Sequence, residues 1–192
     1  LVVSPIEKEV LAADAPGARV HVLSNIHRVS GSSADFSARK DIFFVGGFQH
    51  PPNVDAAQWF TASIWPLVHQ QLPDIQFHLI GSKASEKVRA LHGNGVVFHG
   101  FVHDLQPWLD GCRLAVAPLR YGAGVKGKVN LSMSHGQPVV ATPMAAEGLF
   151  ATDGLDLLIA GSAGEFAAAV IRLYRDESLW NRLSAGGLEN VR

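Results

Sequence analysis

The stretch CRLAVAPLRYGAGVKGKVNLSMSHGQPVVAT, residues 112–142, contains the pattern that decides the fold. Two short apolar runs, Leu114 to Leu119 and Pro138 to Thr142, enclose a glycine-rich segment from Arg120 to Gln137. Uniformly apolar runs of this length are typical of strands that are buried on both faces of a parallel sheet. The segment between them is long enough for a loop and a crossover helix. The stretch therefore predicts a strand, a loop, a helix and a second strand.

The same alternation continues over most of the chain. Between the apolar runs, side chains at helical spacing predict helices, of which the first runs from Asn53 to Gln71, with Asn53 or Asp55 as its cap and with a kink or an early end at Pro66. We therefore predict an α/β fold, a Rossmann-like doubly wound parallel sheet of about six strands with helices on both faces. The six runs are DIFFVGG (41–47), IQFHLIG (75–81), GVVFHGFV (95–102), CRLAVAPL (112–119), QPVVATP (137–143) and LDLLIAG (155–161).

Three segments are predicted along the chain. Residues 1–26 predict a helix from Pro5 to Ala13 with Ser4 as its cap, and a strand over 18–23, which together are too little to form a core of their own. The polar residues 27–40 predict a linker, and residues 41–192 predict the main domain. Because the chain starts inside an apolar run and ends without a helix terminator, we expect it to be part of a longer protein.

Composition excludes several classes of function. The chain of 192 residues is 47% hydrophobic and 17% charged, with a net charge of -1, and it has no basic face that would favour nucleic acid. Its apolar runs are too short to span a bilayer, so we expect a cytoplasmic protein. The single cysteine, Cys112, begins an apolar run and is predicted to be a buried hydrophobe rather than a nucleophile.

The loop after the run 112–119 carries the strongest signal for chemistry. Gly122 and Gly124 allow tight turns with exposed N–H groups, and Lys126 and Lys128 add two positive charges just before a helix, which favours a phosphate group. The spacing matches that of a P-loop, but Val129 stands where that motif needs Ser or Thr for magnesium, which argues against nucleoside triphosphate hydrolysis. The alternative is that the glycines only form a turn and that the lysines are solvated.

Two further loops follow predicted strands. Gly46 and Gly47 come directly after the first strand and allow a ligand to approach the backbone. Gly100, Phe101 and Val102 follow the third strand and could meet a flat base. Asp104, just beyond them, could equally cap the next helix, and both interpretations can hold together.

Glu147 and Gly148 follow the strand 138–142. The carboxylate of Glu147 could accept hydrogen bonds from sugar hydroxyls, or it could cap a turn of helix. His99 and His103 lie four positions apart but span a strand end and a loop, so the sequence predicts no metal site.

Taken in order, several of these segments resemble one known family. FFVGGFQHPPNVDAAQWF (43–60), PDIQFHLIG (73–81), VVFHGFVHDLQPWLDGCRLAVAPLRYGAGVKGKV (96–129) and GQPVVATPMAAEGL (136–149) are similar to the donor-binding half of group 1 (family 4-like) retaining glycosyltransferases. The resemblance covers about residues 41–190. It implies one half of a GT-B fold, with 1–26 as a remnant of the N-terminal acceptor domain and 27–40 as the interdomain linker.

The resemblance also implies roles for the residues of the loops. Lys126, with the backbone around Gly124, would neutralise the diphosphate of a nucleotide sugar without a metal or other cofactor, and Lys126 is preferred over Lys128 for this role. Lys126 and Glu147 would be the catalytic residues. The rest of the donor site would comprise Gly46 and Gly47 near the diphosphate and sugar, Gly100, Phe101 and Val102 at the base, and Gly124, Val125, Lys128 and Gly148.

The chain departs from the family at two positions. The family carries a pair of glutamates, and the corresponding residues here are Ala123 and Leu131, so the contacts of the ribose and of part of the sugar are in doubt. Glu147 could supply part of the missing role. The stereochemical outcome of transfer is left open.

The sequence therefore predicts a donor domain whose parent transfers a hexose from a nucleotide diphosphate sugar in polysaccharide or cell-envelope synthesis. The acceptor would be a glycan, a lipid or a small molecule held by the acceptor domain, and the parent could associate peripherally with a membrane. The chain alone is expected to be inactive. The alternative is a catalytically degenerate domain that binds a nucleotide sugar or a partner. A sugar-phosphate epimerase or similar Rossmann enzyme is a second alternative that would explain the sheet, but its glycine fingerprint and Tyr-x-x-x-Lys motif are missing.

Overall fold

A six-stranded, entirely parallel sheet forms the centre of the protein, in the order β3-β2-β1-β4-β5-β6. The computed structural model describes residues 1–2, 5–23 and 28–192. All six predicted runs form strands, which confirms the Rossmann-like fold. The strands are β1 (Ile42–Val45), β2 (Phe77–Ile80), β3 (Val96–Gly100), β4 (Leu114–Ala117), β5 (Val139–Ala141) and β6 (Leu158–Ile159).

Helices cover both faces of the sheet. One face is packed against α6, and the opposite face carries the helical segment 51–71, in which the ring of Phe60 lies 4.4 Å from that of Phe77, together with α8. The helices are α1 (Pro5–Asp14), α2 (Pro51–Trp59), α3 (Trp65–Gln71), α4 (Glu86–Arg89), α5 (Gln106–Gly111), α6 (Gly127–Ser134), α7 (Pro143–Ala146), α8 (Ala163–Arg175) and α9 (Glu177–Asn190).

The first helical segment differs from the prediction at its start, and it continues past its proline. It begins at Pro51 after His50, and neither Asn53 nor Asp55 caps it, because the Asn53 side chain donates instead to the Gly47 carbonyl at 2.9 Å. It does not end at Pro66 either. A π-helical turn, Phe60–Ile64, precedes the proline, and this wider turn relieves the clash of the ring with the preceding turn.

The N-terminal segments precede the sheet domain in the chain. Helix α1 forms close to its predicted limits, whereas the predicted strand over 18–23 is reduced to one bridge between Val2 and Val22. The predicted cap Ser4 and residues 24–27 lie outside the described residues. In the predicted linker, Arg39 is buried and donates to the Leu109 carbonyl at 2.5 Å. The predicted domain boundaries remain a prediction.

Two smaller predictions concern Cys112 and membrane spans. Cys112 is buried, and burial raises the pKa of its thiol, so the residue packs as a hydrophobe, as predicted. Within residues 1–2, 5–23 and 28–192, no helix combines the length and the apolar character that crossing a membrane would require.

Candidate functional site

The candidate site lies where the strand order reverses. β1 is flanked by β2 and β4, so the chain leaves β1 towards one side of the sheet and returns to it from the other. The loop after β1 contains Gly46 and Gly47, and the loop after β4 contains Gly122 and Gly124. Because β1 and β4 are parallel neighbours, both loops lie at the same edge of the sheet, as ligand sites of such sheets do.

The loop after β1 packs tightly against its surroundings. A Cβ on Gly46 would lie 2.8 Å from Cγ of Asn53 and 3.0 Å from Nζ of Lys128, so the missing side chain makes room for these two residues. A Cβ on Gly81, at the end of β2, would lie 1.8 Å from the Gly46 carbonyl oxygen. The sequence predicted Gly46 as a point where a ligand approaches the backbone. In the structure, the space beside Gly46 is occupied by the side chains of Asn53 and Lys128.

Lys128 reaches from the first turn of α6 across the end of β1. Its ammonium group donates to Oδ1 of Asn53 and lies 4.5 Å from the centre of the Phe44 ring. Burial and the charge of Lys126 lower the pKa of Lys128 to about 7. An ammonium group has three N–H donors, so Lys128 keeps donors for a ligand beyond its bond to Asn53.

Lys126 is enclosed by its own loop. The residue is only 7% exposed, and its ammonium donates to the carbonyl oxygens of Gly122, at 3.2 Å, and of Gly124. Burial lowers the pKa of Lys126, while the charge of Glu147 opposes this shift. The alternative that both lysines are solvated surface groups is therefore wrong. Both lysine side chains belong to the N-terminal end of α6, where the helix dipole also favours an anion.

The loop after α7 brings Glu147 and Gly148 to the same place. Gly148 has a φ of +75°, which favours glycine, and a Cβ there would lie 3.2 Å from Cγ2 of Val125. Thr142 caps the start of α7, so Glu147 has no part in that cap. Glu147 lines a cavity together with Ala123 and Gly124. The predicted residues Gly124, Val125, Lys126, Glu147 and Gly148 are thus brought together.

The predicted base-binding residues lie farther along the same edge. Gly100 ends β3 with a φ of +71°, and its carbonyl accepts from the Gly81 N–H at 2.8 Å. Phe101 is 65% exposed, and its ring meets that of His103 edge-on at 4.9 Å. Asp104 accepts from the Gln106 N–H at 2.9 Å, but the N-cap position of α5 is occupied by Leu105, so Asp104 is not the cap residue that the sequence suggested.

Gly100, Phe101 and Val102 are separated from β1 by β2, which is about 10 Å across two strand spacings. Hydrogen bonds and close packing connect the backbones of Gly100, Gly81 and Gly46 in a continuous row. A ligand that reached from the lysines to Phe101 would follow this row.

Three residues near the lysines were not predicted. Asn53 was interpreted as a cap, Gly81 as the end of a strand, and Pro52 was not singled out, yet a Cβ on Gly122 would lie 3.3 Å from Cγ of Pro52. For Gly81, the only signal in the sequence was its position at the end of an apolar run. Nothing in the sequence paired Asn53 with Lys128, because their contact depends on which strands are neighbours.

The sequence analysis considered His99 together with His103, whereas the structure places His99 beside His78. His99 lies 2.9 Å from His78, which lies 3.3 Å from Asp41, while His103 faces Phe101. Among the residues that the structure describes, no group of three His, Cys, Asp or Glu side chains is placed to hold a metal ion.

Comparison with known proteins identifies the family. The family model described as "Glycosyl transferases group 1" matches residues 39–176, and the chain belongs to this family. A Klebsiella pneumoniae protein described as an uncharacterized 44.6 kDa protein in the cps region is 26% identical over 147 residues, which are 72% of this chain and 38% of that protein.

Solved structures show the same fold. TarM from S. aureus superposes with a TM-score of 0.82 at 18% identity, over 99% of this chain and 39% of TarM. HepE from Anabaena gives 0.72 at 16% identity, over 98% of this chain and 56% of HepE. The C-terminal domain of LpcC from Francisella tularensis gives 0.63 at 16% identity, over 83% of this chain and 96% of that domain. The chain thus spans 38 to 56% of the longer proteins named here.

Proposed function

We propose that this chain is the nucleotide-sugar donor domain of a glycosyltransferase that transfers a hexose from a nucleotide diphosphate sugar to an acceptor. The observation that carries the proposal is the pair Lys126 and Lys128, two enclosed ammonium groups at the switch point of a parallel sheet. Burying a positive charge without an anionic partner is unfavourable. A diphosphate placed there would form direct ion pairs with these ammonium groups.

The same pair suits the chemistry of transfer. When the bond between the sugar and the diphosphate breaks, negative charge develops on the leaving phosphate oxygen. Ammonium groups already fixed at that place stabilise this charge without reorganisation. Lys126 is held by two carbonyls of its loop and Lys128 by Asn53, so both are positioned before a donor arrives. This role requires no metal.

The known proteins support the proposal. The solved structure of HepE contains UDP and glucose, and that of TarM contains UDP and α-GlcNAc-glycerol. The Klebsiella protein belongs to a cps region, which favours a role in polysaccharide assembly. We propose that the acceptor, a glycan, a lipid or a small molecule, is held by a part of the longer protein outside this chain.

Thermal-shift measurements with UDP, GDP, dTDP, ADP and their sugars test the donor assignment. We expect at least one nucleotide to raise the melting temperature, because a ligand that binds only the folded state stabilises it. Lys126→Met is expected to reduce that shift, whereas Lys87→Met, which changes an exposed lysine on α4, is expected to leave it unchanged. If none of the nucleotides shifts the transition, the donor assignment is wrong.

A second function is favoured by one observation. Ala123 lines the cavity beside Glu147, and Leu131 packs against the core, so neither position offers the carboxylate that the family carries. This composition suits a domain that binds a nucleotide sugar without transferring it. The complete protein should then bind the donor but show neither transfer nor donor hydrolysis, whereas the first proposal predicts turnover.

A further inference from the structure

The first turn of α2 contacts the glycine-rich loop after β4 at both of its ends. Asp55 accepts two hydrogen bonds from the guanidinium of Arg120, near the start of the loop, with Nε 2.9 Å from Oδ2. Asn53 accepts from the ammonium group of Lys128, in the first turn of α6 at the other end. Two side chains of one helical turn thus hold residues 120–128 between them.

Two prolines stiffen the turn that carries these side chains. Pro51 and Pro52 occupy the first two positions of α2, where their fixed φ favours the helix and their missing N–H would have no partner within it. Pro52 also packs beside the loop, since a Cβ on Gly122 would lie 3.3 Å from its Cγ. The loop therefore rests against a rigid part of the chain.

The side chain of Asn53 fits its two partners in one orientation. Its Nδ2 donates to the Gly47 carbonyl at 2.9 Å, so Oδ1 is the atom that meets the ammonium group of Lys128. Asn53 is only 8% exposed, so little water reaches these bonds. An amide suits both neighbours because it has a donor and an acceptor side, whereas a carboxylate would turn an oxygen towards the Gly47 carbonyl oxygen.

The neutral amide also preserves the charge of the lysine. Asn53 orients the ammonium group of Lys128 without neutralising it, so its positive charge is available to a phosphate. A carboxylate in the same place would form an ion pair with Lys128 and compete with the phosphate. At the other end, Asp55 already compensates the charge of Arg120, so this pair anchors the loop and leaves the phosphate to the lysines.

We propose that Asn53 and Asp55 are positioning residues of the donor site, which hold the two ends of residues 120–128 so that Lys126 and Lys128 face the same diphosphate. The proposal rests on the proposed donor function and adds the residues that prepare its loop. Neither Asn53 nor Asp55 touches the ligand, because both act through the residues they hold.

Titrations with UDP, GDP, dTDP and ADP, each beside its nucleoside and followed by NMR, provide the test. Asn53→Ala is expected to weaken the best-bound diphosphate on the order of tenfold, because the charged hydrogen bond that positions Lys128 is lost. Asp55→Asn should weaken it by a smaller factor and leave the melting temperature nearly unchanged, since an exposed ion pair contributes little to stability. The affinity for the nucleoside should not change in either variant.

Asn53→Asp distinguishes positioning for an anion from a merely structural contact. It keeps a partner for Lys128 but neutralises the ammonium group, so we expect the diphosphate to bind on the order of tenfold more weakly. The fall in affinity from pH 7 to pH 9 should also flatten, because an adjacent carboxylate keeps the amine protonated. The charge of Lys126, which also acts on Lys128, is the same in both proteins. A structural contact alone predicts unchanged affinity.

Two exposed residues provide matched controls. Asn181→Asp makes the same change in α9, and Asp74→Asn makes the change of Asp55→Asn in the loop before β2. Both controls are expected to bind diphosphate and nucleoside as the unmodified chain does. If Asn53→Ala fails to fold, Asn53→Asp and Asp55→Asn decide the test.

The outcomes separate this inference from the donor assignment. If the unmodified chain binds a diphosphate and either Asn53→Asp or Asp55→Asn binds it equally tightly, the positioning inference is wrong and the donor site stands. Equal weakening of diphosphate and nucleoside also overturns the inference, because the effect would then not act through the lysines. A chain that binds no nucleotide contradicts both proposals.

Discussion

Lys128 combines a depressed pKa with a position that suits an anion. Its ammonium group is partly enclosed between Asn53 and Phe44, and its pKa is about 7 instead of the ordinary 10.5. Near neutral pH a large share of the molecules therefore carries an uncharged Lys128. A bound diphosphate would favour the charged form and draw in a proton.

The affinity for a nucleotide sugar should therefore depend on pH. Above about pH 7 binding has to include protonation of Lys128, so the affinity is expected to fall as the pH rises from 7 to 9. Calorimetry in buffers of different ionisation enthalpy would detect the proton taken up. Lys128→Met should bind more weakly and lose most of the pH dependence. Equal affinity of the unmodified chain at pH 6 and pH 9 would contradict this role.

The same lysine should influence stability in a defined direction. Between about pH 7 and 10.5 the unfolded chain holds a proton on Lys128 that the folded chain has released, so the contribution of Lys128 to folding becomes more favourable as the pH rises through this window. Relative to Lys128→Met, the unmodified chain should thus gain melting temperature between pH 7 and pH 10. An unchanged difference between the two proteins would show that the amine titrates normally in the fold.

Glu147 offers a separate test at the level of one residue. If it accepts hydrogen bonds from the sugar, Glu147→Ala should weaken the binding of the nucleotide sugar while sparing the free diphosphate. Glu189→Ala, at an exposed position of α9, is the matched control. Calorimetry that gives the same nucleotide-sugar affinity with and without Glu147 would remove it from the site.

At the scale of elements, the site depends on how closely the loops after β1 and β2 approach each other. Gly81 lies against the Gly46 carbonyl, and the Gly46 N–H donates to Ile80 at 3.0 Å. These contacts fix the loop that receives Lys128 and Asn53. Contact between two backbone segments therefore sets the position of Lys128.

Gly81→Ala should therefore damage the fold. The added methyl would lie 1.8 Å from a backbone oxygen, and we expect a loss of roughly 2 kcal/mol or more in unfolding free energy. Gly111→Ala, where a Cβ meets nothing within 4 Å, is expected to be neutral or slightly stabilising because it lies in helix α5. Chemical denaturation measures both variants. Equal stabilities would mean that the two loops separate easily.

The sequence predicted elements better than contacts between them. The six strands were predictable because each lies in a short run of mostly apolar residues. The pairing of Asn53 with Lys128 was not predictable, because the two residues are 75 positions apart and meet only through the order of the strands. The enclosure of Lys126 by its own loop likewise depends on glycine conformations that composition does not specify.

At the scale of the whole molecule, the chain would form one side of the proposed donor site. The loops after β1 and β4 and the segment of Gly100 and Phe101 lie along one edge of the sheet, and α1 lines the cavity beside the loop after β4. Among the proteins named above, this fold is a domain of chains up to about two and a half times as long. Transfer also needs an acceptor, which the proposed function assigns to a part of the longer protein outside this chain.

The chain on its own should therefore bind a donor but transfer no sugar. Incubation with a nucleotide sugar and candidate acceptors, followed by mass spectrometry, is expected to show no glycosylated product, while the complete protein forms it. A product formed by the chain alone would show that the acceptor site lies within residues 1–192.

The most direct test of the donor assignment is a crystal structure of this chain with a bound nucleoside diphosphate. The two lysines at the switch point predict that the phosphates lie within hydrogen-bond distance of Nζ of Lys126 and Nζ of Lys128, with the base towards Phe101. A diphosphate bound elsewhere, with both ammonium groups still directed only at their own carbonyl and amide partners, would contradict the account.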